Sequence, residues 1–205
     1  LPPFKPTDNV LDLAAPRSLC ISVSPEWQTE FRHQQYEAMV AAKRLIPEVD
    51  AAFAAAFGRS HGGLVEKYRC EDAEYALVAM GTVAGTARLV VDQLRDRGLK
   101  VGLVKVRYHR PFPNEEFAAL APRLKGLGVI DRDLSFGNAG ALYTEVKAAL
   151  AGGSSMPATI NFVAGLSGRD ITKENIAAMF GKLVALTGGK SEPEIQFVGL
   201  RWEKW

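Results

Sequence analysis

Between Leu64 and Thr187 the sequence alternates four times between a short apolar run and a longer amphipathic segment. The pairs are Tyr75–Met80 with Val83–Arg97, Val101–Arg107 with Asn114–Leu124, Leu127–Asp131 with Ala139–Ala151, and Thr159–Ala164 with Thr172–Thr187. The runs have no polar face: Ala76-Leu77-Val78-Ala79-Met80 is apolar at every position. A strand of that kind needs cover on both sides, and helices that alternate with strands supply it through crossovers. The pattern therefore predicts an α/β fold, a mostly parallel open sheet with helices on both faces. Ile195–Leu200 offers one further strand. Gly98, Gly152-Gly153 and Gly188-Gly189 stand where helices should close. The chain has no internal repeat and no low-complexity tract.

Upstream the texture differs. Residues 1–18 hold four of the eleven prolines together with Thr7, Asp8 and Asn9, a composition that favours an extended arm. Leu19–Ser24 reads as a short strand. Ser24 then suits the N-cap and Pro25 the first turn of a helix. Trp27, Phe31, Ala38, Ala42 and Leu45 fall at helical spacing, Pro47 should break the helix, and an alanine-rich piece from Glu48 to Phe57 stops at Gly58. This gives three parts: a linker arm 1–18, a helical docking segment 19–63 with a long broken helix, and an α/β domain 64–205. Trp27 and Phe31 are candidate interface residues, because large apolar groups on a helix with little to cover commonly mark a contact.

Charge and cysteine content exclude several functions. Lys plus Arg number 25 against 23 Asp plus Glu, and the net charge of +2 is scattered, so neither nucleic acid nor an anionic membrane surface is an expected partner. No apolar run approaches the roughly 20 residues of a membrane span, and the N-terminus lacks a signal-peptide pattern. Cys20 and Cys70 stand apart, which suits a reducing, cytoplasmic compartment and cannot supply the four thiolates of an iron–sulfur site. His33, His61 and His109 show no metal-ligand spacing. The start at Leu1 without methionine suggests a processed product, a subunit piece or an excised segment.

Ligands of open α/β sheets bind beyond the carboxyl ends of the strands, so four loops carry the functional candidates. Gly81-Thr82-Val83-Ala84-Gly85-Thr86 runs into a helix. It is neither GxGxxG nor a P-loop, and reads either as an anion-binding turn at Gly81 and Thr82 or as a tight turn capped by Thr82. Arg107-Tyr108-His109-Arg110-Pro111-Phe112-Pro113 brings Arg107 and Arg110 to one strand end, where they suit anion recognition or, the favoured reading, ion pairs with carboxylates of a neighbouring domain. Asp131, Arg132 and Asp133 alternate in charge, as in a self-satisfied salt-bridge cluster; general acid–base work is the lesser alternative. Gly165-Leu166-Ser167-Gly168 departs from the GxSxG nucleophile elbow, so no serine hydrolase is expected.

These loops carry a family resemblance. Arg69 to Ala87, with Tyr75-Ala76-Leu77-Val78-Ala79-Met80-Gly81-Thr82 at its centre, resembles the corresponding stretch of the alpha chain of pyruvate:ferredoxin oxidoreductase. Arg107–Pro113, Asp131–Gly137 and Gly168-Arg169-Asp170-Ile171-Thr172 are similar to that family in the same order, and the resemblance extends from Leu1 to about residue 187.

The resemblance implies a transketolase C-terminal-like second domain of a thiamine-diphosphate-dependent enzyme that converts a 2-oxoacid to an acyl-coenzyme A and reduces ferredoxin, the substrate being open among pyruvate, the default, 2-oxoisovalerate, 2-oxoglutarate and aryl oxoacids. It places thiamine diphosphate, magnesium and the iron–sulfur clusters on other domains or chains: a pyrimidine-binding domain, a beta chain and an iron–sulfur chain. The Gly-Asp-Gly signature and cysteine arrays that bind those groups have no counterpart here, so no catalytic residue and no cofactor of its own are expected for this chain. Gly81, Thr82, Arg107 and Arg110 are then candidates for the rim of an active site. Asp131, Arg132 and Asp133 join Trp27 and Phe31 as interface candidates, a homodimer among the possible assemblies. The alternative is a stand-alone α/β anion- or nucleotide-binding module.

Overall fold

Strands without a polar face must be covered twice, and the computed structural model, which describes residues 2–6, 10–16, 22–153 and 155–202, shows that cover. In chain order the elements are α1 (Pro25–Phe57), β1 (Val65–Tyr68), β2 (Tyr75–Met80), α2 (Val83–Arg95), β3 (Val101–Val106), α3 (Asn114–Leu120), β4 (Gly126–Asp131), α4 (Ala141–Ala151), β5 (Ala158–Val163), α5 (Lys173–Thr187) and β6 (Ile195–Phe197). The chain divides into two compact units, Leu1–Ala38 and Met39–Trp205. The sheet and its helices lie in the second; α1 begins in the first and ends in the second.

The six strands are ordered β1-β3-β2-β4-β5-β6. All neighbours run parallel except β1, which pairs antiparallel with β3 in the register Val65↔Val106 to Tyr68↔Leu103. α3 and α4 cover one face, where Phe117, Leu120, Leu142 and Val146 pack over Val78, Val104 and Val129. α2 and α5 cover the other, with Val91, Ile176, Met179 and Phe180 over Leu77, Leu103 and Ile160. The expected mixed α/β architecture is therefore present. β1 escapes the sequence reading because Val65-Glu66-Lys67-Tyr68 is short and half charged, the usual composition of a sheet edge.

Two expectations upstream change. α1 is a single helix of 33 residues that runs through Pro47, so the break does not occur. Proline removes one ladder hydrogen bond, and the alanine-rich turns on either side keep theirs. None of its residues is buried. In the expected strand Leu19–Ser24, Leu19, Cys20 and Ile21 lie outside the described residues, and Ser22–Ser24 form no strand. Among the described residues no helix is long and apolar enough to cross a membrane.

The two-sided cover makes the middle of β2 the most sensitive place in the core. Leu77, at 0% exposure, should cost roughly 2–5 kcal/mol when cut to alanine. Leu89→Ala on the solvent side of α2, at 57% exposure, should change stability by less than about 0.5 kcal/mol. Urea unfolding checks the pair; equal effects would contradict the layer assignment.

Candidate functional site

The chain leaves β2 for β3 on one side and returns through α3 to β4 on the other, so the loops after β2 and β4 diverge and open a crevice at the carboxyl edge. A cleft of about 250 Å³ lies there, lined by Thr82 and Thr86 of the β2–α2 turn and first helical turns, Arg132 after β4, and Arg169 and Asp170 after β5. Thr82 holds the N-cap position of α2 but makes no side-chain cap bond, against the capped-turn expectation. α5, by contrast, is closed by a reciprocal capping box between Thr172 and Asn175. The N–H groups of Ala84 and Gly85 turn back to the carbonyls of Gly81 (3.4 Å) and Thr82 (3.0 Å). What the start of α2 offers a negatively charged group is thus its first N–H groups and dipole, with the guanidiniums of Arg132 and Arg169 and the carboxylate of Asp170 lining the same cleft.

The next loop is organised around a buried acid. Asp131, at 3% exposure, ends β4 and accepts hydrogen bonds from the N–H groups of Leu142 (3.0 Å) and Tyr143 (3.1 Å). Asp133 accepts from Ala141 N–H (3.1 Å), and the amide oxygen of Asn161 on β5 accepts from Gly140 N–H (2.9 Å). These are the four N–H groups that a helix start leaves without partners, and all four are met by side chains. Asn161 Nδ2 also donates to Asp131 Oδ2 (2.8 Å) and to the Val129 carbonyl, which joins β4, β5 and α4 in one polar knot. Gly140 is required by this closeness, since a Cβ there would stand 2.2 Å from Asp131 Cγ. Burial, reinforced by the neighbouring Asp133 charge, pushes the Asp131 carboxyl up to about 6, and the two backbone N–H bonds oppose it.

Expected as interface residues, Asp131 and Asp133 spend their carboxylates on α4, and Asp131 is not at the surface. Arg132 donates from Nε and Nη2 to the Gly165 carbonyl (both 3.3 Å) and, among the described residues, pairs with neither aspartate. The self-satisfied cluster is therefore a helix cap, with the arginine turned to the adjacent loop. Gly165, at φ +71°, lets Arg132 approach: an added Cβ would lie 3.1 Å from its Nε. Asn161 was missed, although an amide in the middle of the apolar run Thr159–Ala164 signals a buried hydrogen-bond partner.

Arg107 and Arg110 were expected to meet carboxylates of another domain. Both have one in this chain: Arg107 Nη1 lies 3.6 Å from Asp50 of α1, and Arg110 pairs with Glu145 of α4. Asp50 also accepts from Ser60 Oγ (2.5 Å) and His61 N–H (3.0 Å), bonds that hold its carboxyl below the usual range. Gly81 and Thr82 sit at the crevice, whereas Arg107 and Arg110 anchor the β3 loop to neighbouring helices. Trp27 and Phe31 of α1 are 61% and 52% exposed.

The described residues do not fit a bound metal cofactor. No three His, Cys, Asp or Glu side chains among them converge as an ion would require. Asp131 and Asp133 are occupied as caps of α4. Cys70 is buried, its thiol donates to the carbonyls of Leu103 (3.4 Å) and Tyr68 (3.5 Å), and burial pushes it up to about 11, the opposite of a thiolate ligand.

The sequence has curated relatives over nearly its whole length. Residues 73–176, from the entry to β2 to the first turn of α5, match the family described as pyruvate:ferredoxin oxidoreductase core domain II. Ketoisovalerate oxidoreductase subunit VorA of Pyrococcus abyssi is 36% identical over 202 residues, 98% of this chain and 51% of that protein. Pyruvate synthase subunit PorA of Methanothermobacter thermautotrophicus is 41% identical over 203 residues, 99% of this chain and 50% of its own. The chain spans about half the length of the curated relatives it matches. A solved 2-oxoglutarate:ferredoxin oxidoreductase from Magnetococcus marinus aligns with 58% of this chain and 19% of its own at 20% identity and a TM-score of 0.44, too loose a likeness to bear on the fold.

The cap predicts both a cost and a pH trend. Asp131→Ala leaves buried N–H groups unmet and should destabilise by about 2–4 kcal/mol in urea unfolding. The Asp131 carboxyl titrates near 6 in the folded chain and near the ordinary value of about 3.9 when unfolded, so the native state binds more protons in between. Its contribution is complete below that unfolded value and is lost as pH rises through 6. The stability lead of the wild type over Asp131→Asn should therefore shrink from pH 4 to pH 7; a lead that grows would mean the carboxyl titrates below its ordinary value.

Proposed function

Because this chain belongs to the pyruvate:ferredoxin oxidoreductase core domain II family, we propose that it acts as a non-catalytic domain of a thiamine-diphosphate-dependent 2-oxoacid:ferredoxin oxidoreductase. The assembled enzyme would oxidatively decarboxylate its 2-oxoacid to an acyl-coenzyme A and deliver the electrons to ferredoxin. The observation that carries the reading is the family match across 73–176, which takes in the four carboxyl-edge loops. Pyruvate is our default substrate and 2-oxoisovalerate the alternative, after the two activities named for the relatives.

Thiamine diphosphate, magnesium and the clusters then belong to partner domains or chains: a pyrimidine-binding domain, a beta chain and an iron–sulfur chain. Thiamine diphosphate supplies the carbanion chemistry there. This chain's residues position. The Asp131–Asn161 knot and the Arg107 and Arg110 pairs hold the carboxyl-edge loops rigid, so that Gly81 and Thr82 present a fixed rim. Residues 19–63 serve as the docking segment, and α1, with Trp27 and Phe31 open, carries the contact. We place the protein in the cytoplasm, where its cysteines stay reduced.

The second reading, a stand-alone module holding an anion at Gly81 and Thr82, is favoured by the uncapped start of α2 beside Arg132 and Arg169. Reconstitution separates the two. Mixed with the partner chains, the protein should support ferredoxin reduction that depends on pyruvate or 2-oxoisovalerate, while the chain alone stays inactive. Full activity of the partners without it, joined to tight binding of inorganic phosphate by the chain, would support the module instead.

A further inference from the structure

The carboxyl ends of β5 and β6 enclose a recess of about 390 Å³ that the proposed assembly role does not use. Val163, Ala164 and Val198 form a buried floor. Leu166 and Phe197 stand on its walls with 41% and 37% of their surfaces open, and Leu200 completes the apolar lining. Large apolar side chains left half open around one hollow gain by covering it with an apolar body.

One cation stands on this apolar wall. Arg169 Nη1 donates to the Gly199 carbonyl at 2.7 Å, which fixes the guanidinium beside the recess and uses one of its five donors. Arg107 and Arg110 each have a carboxylate in the chain, whereas Arg169 has none among the described residues. The loop bearing it is held in an uncommon conformation, with Ser167 at φ 52° between Gly165 and Gly168, also at positive φ. A guanidinium with free fork donors matches a carboxylate.

We propose that this recess binds a short apolar carboxylate, its carboxylate on Arg169 and its apolar body against Leu166, Phe197 and Leu200. The lining sets the selectivity: acetate satisfies the guanidinium but leaves the walls open, and a neutral amide covers the walls but leaves the guanidinium unmet. Ligand binding by both parts should exceed either alone.

Nitrogen-15 NMR on the full chain tests this with phenylacetate and isovalerate as probes, and acetate and phenylacetamide as partial mimics. Phenylacetate and isovalerate should shift the amide signals of Gly165, Leu166 and Phe197, with affinity at least roughly tenfold above that of acetate or phenylacetamide. Arg169→Gln should weaken phenylacetate roughly tenfold. Leu166→Asn, a change at the exposed wall that leaves the Arg169–Gly199 bond in place, should weaken it as well, while the amides of β2 keep their wild-type positions. No shift with phenylacetate, equal response to phenylacetamide, or undiminished binding in both variants would overturn the proposal.

Discussion

The four N–H groups at the start of α4 decide how the carboxyl edge of this sheet is built. A helix that starts inside a protein must find acceptors for them, and here Asp131, Asp133 and Asn161 provide every one. The acceptors come from two adjacent strands and the loop between strand and helix. The same bonds that finish the helix therefore lock β4 to β5 and fix the path of residues 132–140. A buried carboxylate is tolerable only with such partners, and Gly140 leaves it room.

This constraint separates support from contact along the edge. Asp131 has the burial and raised pKa that often mark a catalytic acid, yet its oxygens are filled by backbone and amide donors. Arg107 and Arg110 likewise have their charges met by Asp50 and Glu145. What stays open is the start of α2, Arg132 and Arg169 beside it, and the apolar recess past β5. The cleft at the start of α2 and the recess past β5 are separate hollows on this edge, with Arg169 lining both.

Much of the fold was legible in the sequence. The two-sided apolar runs and closing glycines locate β2, α2, β3, β4, α4, β5 and α5 to within a few residues, since burial on both faces leaves few alternatives. The edge strand β1 was not legible, because its pairing is tertiary and its composition is polar. The passage of α1 through Pro47 was misjudged: local sterics predicted a stop, and the helix-forming turns around it carried the ladder on. At the site, residue types located the loops and their partners did not follow. Nothing in Asp131-Arg132-Asp133 says that the acids will face a helix start and the arginine a neighbouring loop. Only the strand order brings Asn161 beside Asp131.

Native-state hydrogen exchange at Gly140, Ala141, Leu142 and Tyr143 tests the central claim most directly. If side-chain caps on this helix start hold the carboxyl edge together, these four amides should exchange as slowly as those in the middle of β4 and β5. Exchange at the rate of an open loop, with β4 and β5 still protected, would show that the edge is organised by something other than this cap.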